Sequence, residues 1–177
     1  MQLSPSDGVA KQPRVAQNFY GCHPQDMKRK RLVCAMLGSV LACCVPATAQ
    51  EKGNWRAANS AAESITGDVA LSDTKISINF SIFPIAQIRD LEPGEVSTAF
   101  DLDSTPGGGG SLYRLSIPAL KRFLHRNALC GGEDTQWMAA YVAGHSLRLA
   151  FFSGQKMPVF TPDAIATDLC GTFSYVR

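Results

Sequence analysis

Apolar and polar residues alternate along much of the chain beyond residue 65, and the alternation sets the first expectations. The clearest run is KISINFSI at 75–82, where Ile76, Ile78, Phe80 and Ile82 interleave with Lys75, Ser77, Asn79 and Ser81. A period of two predicts a half-buried strand with those four apolar side chains on one face. Segments 65–71, 85–88, 96–102 and 111–117 carry weaker forms of the pattern. In the third, Val96, Thr98, Phe100 and Leu102 are in phase; in the fourth, Tyr113, Leu115 and Ile117 are. Residues 137–142 and 147–152 make the best hairpin candidate, joined through Gly144, which can take the positive φ of a tight turn. Residues 172–176 supply a last strand.

Helical signals are few. In ALKRFLHRN at 119–127, Leu120, Phe123 and Leu124 share one helical face, while Lys121, Arg122, His125 and Arg126 share the other. Thr161-Pro162-Asp163 combines an N-cap, a proline at the first helical position and an acidic first turn, predicting a helix over 162–167. DSTPGGGGS at 103–111 reads as a flexible loop, because ordering four consecutive glycines costs backbone entropy. Short strands, frequent turns and no βαβ repeat predict a mainly β fold: a single antiparallel barrel or sandwich with one or two short helices. Ile76, Ile78, Phe80, Phe100, Tyr113, Trp137 and Phe151 are the expected inward positions, bulky enough to fill a barrel.

The first fifty residues follow a different pattern. Lys28-Arg29-Lys30-Arg31 precedes an uncharged apolar run at 32–45, and Ala47-Thr48-Ala49 then offers a small-x-small cleavage site. This order predicts a secretory signal peptide at 27–49 and a processed protein beginning at Gln50. An apolar run of fourteen residues is shorter than the ~20 of a spanning helix, so no permanent transmembrane anchor is expected. Residues 1–26 are polar, with Pro5, Pro13 and Pro24, and read as a disordered extension upstream of a translation start at Met27. Val40-Leu41-Ala42-Cys43 loosely resembles a lipobox, but Leu41 fits it poorly and the alanine site competes. The expected product is one β-rich domain at 50–177, periplasmic or secreted.

Export changes the charge and cysteine counts. The chain of 177 residues has 17 Lys and Arg against 15 Asp and Glu, a formal charge of +2. Six of those cations but only Asp7 and Asp26 of the acids precede residue 50, leaving eleven basic and thirteen acidic residues, a net of −2. A near-neutral surface argues against nucleic acid as a partner. Cys22, Cys34, Cys43 and Cys44 also fall before residue 50, leaving Cys130 and Cys170. An even pair in an exported chain predicts a disulfide.

Candidate chemistry is sparse. Ser146 and Ser153 lack a nucleophile elbow, and His125 and His145 are the only histidines after residue 50, so no catalytic residue is expected. His125, Cys130, His145 and Cys170 match no zinc spacing, and the glycines at 107–110 are not followed by the Lys of a phosphate loop. Neither a metal nor a cofactor is therefore expected. The basic set Lys121, Arg122, His125 and Arg126, with the loop at 103–111, is the expected partner surface.

Gly53-Asn54-Trp55 resembles the G-x-W that opens the first strand of lipocalins, whose barrels carry small apolar ligands; their T-D-Y and late barrel-closing arginine motifs are not evident. A broader resemblance, over most of 55–177, is to small uncharacterised exported bacterial proteins. It is carried by Trp55, by ITGD at 65–68, by LAFFSG at 149–154 with Pro158, and by the paired LCG motifs around Cys130 and Cys170. This resemblance implies export, the fold and a disulfide between the two LCG motifs, and it supplies no activity to carry over. The expected function is a non-catalytic binding or inhibitory module for an unknown protein or envelope component. A lipocalin-like carrier of a small apolar ligand is the alternative, and a small hydrolase the least supported.

Overall fold

Eight antiparallel strands follow one another in chain order and close, with the last pairing back onto the first. They are β1 (Gly53–Ala57), β2 (Val69–Leu71), β3 (Lys75–Ile78), β4 (Ser81–Leu91), β5 (Gly109–Ile117), β6 (Thr135–Ala143), β7 (Ser146–Phe152) and β8 (Leu169–Val176). Two short helices, α1 (Pro93–Phe100) and α2 (Pro162–Asp168), lie in the β4–β5 and β7–β8 connections. The computed structural model describes residues 51–102 and 107–177, so the expected signal segment, the start at Met27, the lipobox Cys43 and residues 103–106 lie outside the described residues. Of the two expected architectures, the chain adopts the barrel.

Alternation decides which side chains enter the barrel. Trp55, Val69, Leu71, Ile76, Ile78, Phe83, Ile85, Tyr113, Leu115, Ile117, Met138, Leu149, Phe151, Phe173 and Tyr175 pack into one interior cluster. Strands β5 to β7 are buried on both faces, because α1 and α2 cover their outer wall with a second cluster containing Val96, Phe100, Leu112, Trp137, Phe152 and Ile165. Phe100 and Trp137 were expected inside; both belong to this outer layer. The run at 137–142 is apolar throughout, as a strand covered on both sides must be, so its sequence gives no phase.

Several local expectations are overturned. The run at 75–82 is two strands: Ile78 pairs with Ser81 across a two-residue turn in which Asn79 (φ 45°) and Phe80 (φ 63°) are both left-handed. Phe80 and Ile82 therefore face out, 99% and 66% exposed. The segment 65–71 begins in a π-helical turn (Ala62–Thr66), and only Val69–Leu71 is strand.

The expected strand at 96–102 is not formed: residues 96–100 are the end of α1, and Asp101 caps it in the left-handed region. Glu92 caps α1 in a reciprocal box with Glu95, Pro93 opens the first turn, and Val96, Ala99 and Phe100 face the barrel at helical spacing. The glycine loop is only partly loop, since β5 starts at Gly109. Gly110 is needed there for contact: a Cβ on it would lie 2.6 Å from Val96 Cγ2, so helix and strand meet where only glycine fits. Residues 119–127 hold only a 3-10 turn (Leu124–Arg126), and Leu120 is 86% exposed. Nine residues make a marginal helix alone, and here Phe123 and Leu129 anchor in the core cluster instead. The expected β6–β7 hairpin, α2 and the last strand are present, β8 starting three residues early.

Candidate functional site

The two cysteines come together as expected. Cys130, after the 3-10 turn, and Cys170, in β8, have Cα atoms 4.8 Å apart with their sulfurs at disulfide distance. The pair ties the β5–β6 connection to the last strand and packs against the barrel cluster. With both sulfurs so placed, the four-ligand zinc arrangement does not form. Among the described residues no group of three or more His, Cys, Asp or Glu could hold a metal ion.

The basic set is brought together by a turn rather than a helix face. Arg122, His125 and Arg126 are exposed and Lys121 is half-buried. The Arg122 guanidinium donates to the Ala119 carbonyl at 2.6 Å, while Lys121 Nζ lies 5.9 Å from the Phe123 ring. His125 Nδ1 lies 3.2 Å from the Ser64 carbonyl, which also accepts from Asn127 Nδ2 at 3.1 Å. These bonds seat the turn on the π-helical segment. Ser146 and His145 lie at the β6–β7 turn and Ser153 at the end of β7, and no described hydrogen bond joins either histidine to a serine hydroxyl.

One site was missed by sequence reasoning. Where β1 begins and β4 ends, a recess of about 890 Å3 opens beside Glu51, Gln87, Asp90, Ser111 and Tyr113. The Glu51 carboxylate accepts from Ser111 Oγ at 2.8 Å and, through a very short bond, from Tyr113 Oη. Gln87 Nε2 donates to Asp90 at 2.8 Å. Burial pushes the Glu51 carboxyl above its ordinary range, against the lowering effect of its bonds to Tyr113 and Ser111, with the Asp90 charge adding to the rise. Burial and the adjacent carboxylate push the Tyr113 hydroxyl up as well. Tyr113 thus stays a neutral donor at the barrel mouth. Its partner Glu51 is separated from Ser111 and Tyr113 by 60 and 62 residues, so no local motif could reveal the site.

Closure of the barrel centres on Trp55. The Arg177 guanidinium stacks 4.4 Å from the Trp55 ring and donates to the Lys52 carbonyl at 3.3 Å, while Trp55 Nε1 donates to the Glu51 carbonyl at 2.8 Å. Arg177 thus covers Trp55 beside the seam where β8 meets β1. Among the described residues no helix is long and apolar enough to cross a membrane. No known protein family, curated protein or solved structure matches this chain.

Proposed function

We propose that the protein is an exported, non-catalytic binding or inhibitory module, periplasmic or secreted, whose outer surface engages a protein or envelope component. The observation that carries this reading is the filled barrel. Trp55, Ile76, Ile78, Met138, Leu149, Phe151, Phe173 and Tyr175 project inward and are each at most 2% exposed. Phe151 and Phe173 meet edge to face at 5.5 Å, and Thr66 Oγ1 and Tyr175 Oη share a buried bond of 2.7 Å. A carrier must leave an apolar void among such residues, and the inward projection of Trp55, Phe151, Phe173 and Tyr175 argues against one.

The carrier is the second reading, favoured by the arginine-covered Trp55 and by the mouth recess, whose volume falls in the usual range for ligand sites. Titration with a dansyl-labelled fatty acid separates the two. The binding module predicts no saturable fluorescence change, and uptake of one probe per barrel would establish the carrier. Photo-crosslinkers placed at exposed positions in living cells should then give a discrete adduct with a partner.

A further inference from the structure

A second recess lies on the outer wall, where β8, β1, β2 and β3 run side by side. It is a groove of about 880 Å3 that includes Arg56, Ala70, Phe80, Leu124 and Val176 among its walls. Its rims are unusual. On one side is the β3–β4 turn, with Asn79 and Phe80 at φ 45° and 63°. On the other is Leu124, followed by His125 and Arg126 at φ 52° and 63°. Each rim thus holds two consecutive non-glycine residues in the left-handed region, which L side chains resist.

Phe80 carries this cost furthest. A tight turn of its type favours Asn-Gly, and glycine at position 80 would remove the strain. Instead the position holds a large aromatic ring that is 99% exposed, so no packing among the described residues compensates for it. Strained, solvent-facing aromatic residues of this kind find their compensation outside the molecule, as anchors in a partner. The groove also holds an uncommitted cation. Arg177 is engaged by Trp55 and Lys52, and Asp68 accepts from the Ala57 amide at 2.9 Å. Arg56 is exposed and makes no ion pair or side-chain hydrogen bond among the described residues. Beside the groove β1 is laddered to β8 on one side and to β2 on the other, and β2 to β3, so recognition here runs through side chains.

We propose that this groove docks an extended segment of a partner protein, which presents an apolar side chain to Phe80 and Leu124 and a neighbouring carboxylate to Arg56. The inference rests on the binding-module reading and gives it a site and a partner chemistry. It moves the contact surface from the basic turn as a whole to the groove beside it.

The test is selection of a displayed library of random dodecapeptides on the full chain and on two variants. The wild type should enrich peptides that place Asp or Glu beside an apolar residue. Arg56→Glu should exchange the acid for Lys or Arg among the enriched sequences. Phe80→Gly should weaken wild-type-selected peptides by about tenfold or more, the loss expected of an anchor residue. Its melting temperature should be unchanged or higher, because the turn becomes Asn-Gly. Enriched peptides indifferent to both variants would overturn the groove while leaving a binding module elsewhere on the surface. No enrichment on the wild type, or a clear fall in melting temperature for Phe80→Gly, would also overturn it. Saturable uptake of the dansyl fatty acid is the separate result that removes the reading underneath.

Discussion

Glu51 shows how one residue links the fold to pH. Its carboxyl is held above the ordinary range by burial, so between its unfolded and folded pKa values the folded chain binds more protons than the unfolded one. Stability therefore falls as pH rises through that window, starting near the ordinary value of 4.5, and the loss is complete above the folded pKa. Glu51→Gln should flatten this decline in thermal melts across the acidic to neutral range; an unchanged slope would mean Glu51 does not cause it. Glu95 acts in the opposite sense. Arg89 grips it at 2.5 and 2.6 Å and holds its carboxyl below the ordinary range, so its contribution is present above 4.5 and lost as pH falls through the lower folded value. The pair is solvated, with side chains 34% and 23% exposed, so Glu95→Ala should cost only about 1 kcal/mol, the lost capping box included. At this scale the sequence was least legible. Cys130 and Cys170 could be paired by counting, whereas Glu51, Ser111 and Tyr113 meet only through the barrel, and the G-x-W signal before Arg56 says nothing of the groove it lines.

Elements were legible where one signal dominated and misread where two competed. The β6–β7 hairpin and α2 had matching period and turn chemistry, and both form. At 92–102 the apolar positions fit strand and helix alike, and the capping box with Pro93 was the signal that should have decided for helix. At 75–82 the alternation continued through a turn, because Phe80 and Ile82 are apolar for the outside of the barrel rather than its core. The odd-numbered Phe83 and Ile85, which point inward on β4, carried the true phase after the turn. At 119–127 an amphipathic pattern lost to tertiary anchoring, since the connection must plug Phe123 into the core and deliver Cys130 to Cys170. That cross-link is itself testable. It joins residues 40 apart, and loop-closure entropy then predicts a loss of roughly 4 kcal/mol on Cys170→Ser. A drop in melting temperature of about 10–20 °C should follow, reproduced in the wild type by reductant. Wild-type and variant melts that coincide under oxidising conditions would show that the bridge is not formed.

For the whole molecule, closure is the feature that local pattern could not supply. β1 meets β8 through only two residue pairs, Arg56 with Val176 and Ala57 with Tyr175, so the seam depends on side chains as well as ladder bonds. Trp55 is 1% exposed beneath Arg177, and Trp55→Ala should destabilise the chain by about 3–5 kcal/mol, measured by denaturant unfolding. Arg177→Ala should cost less, about 0.5–1 kcal/mol, because it removes an exposed stacked cation rather than a core ring. The same filled interior that makes these losses large is the reason for reading the protein as a surface binder. Native mass spectrometry of the protein purified from its own cells tests that most directly. The account predicts a single species with the mass of residues 50–177, less two hydrogens for the Cys130–Cys170 bond, and nothing released by organic extraction. A stoichiometric lipid or other small molecule, lost on denaturation, would contradict it.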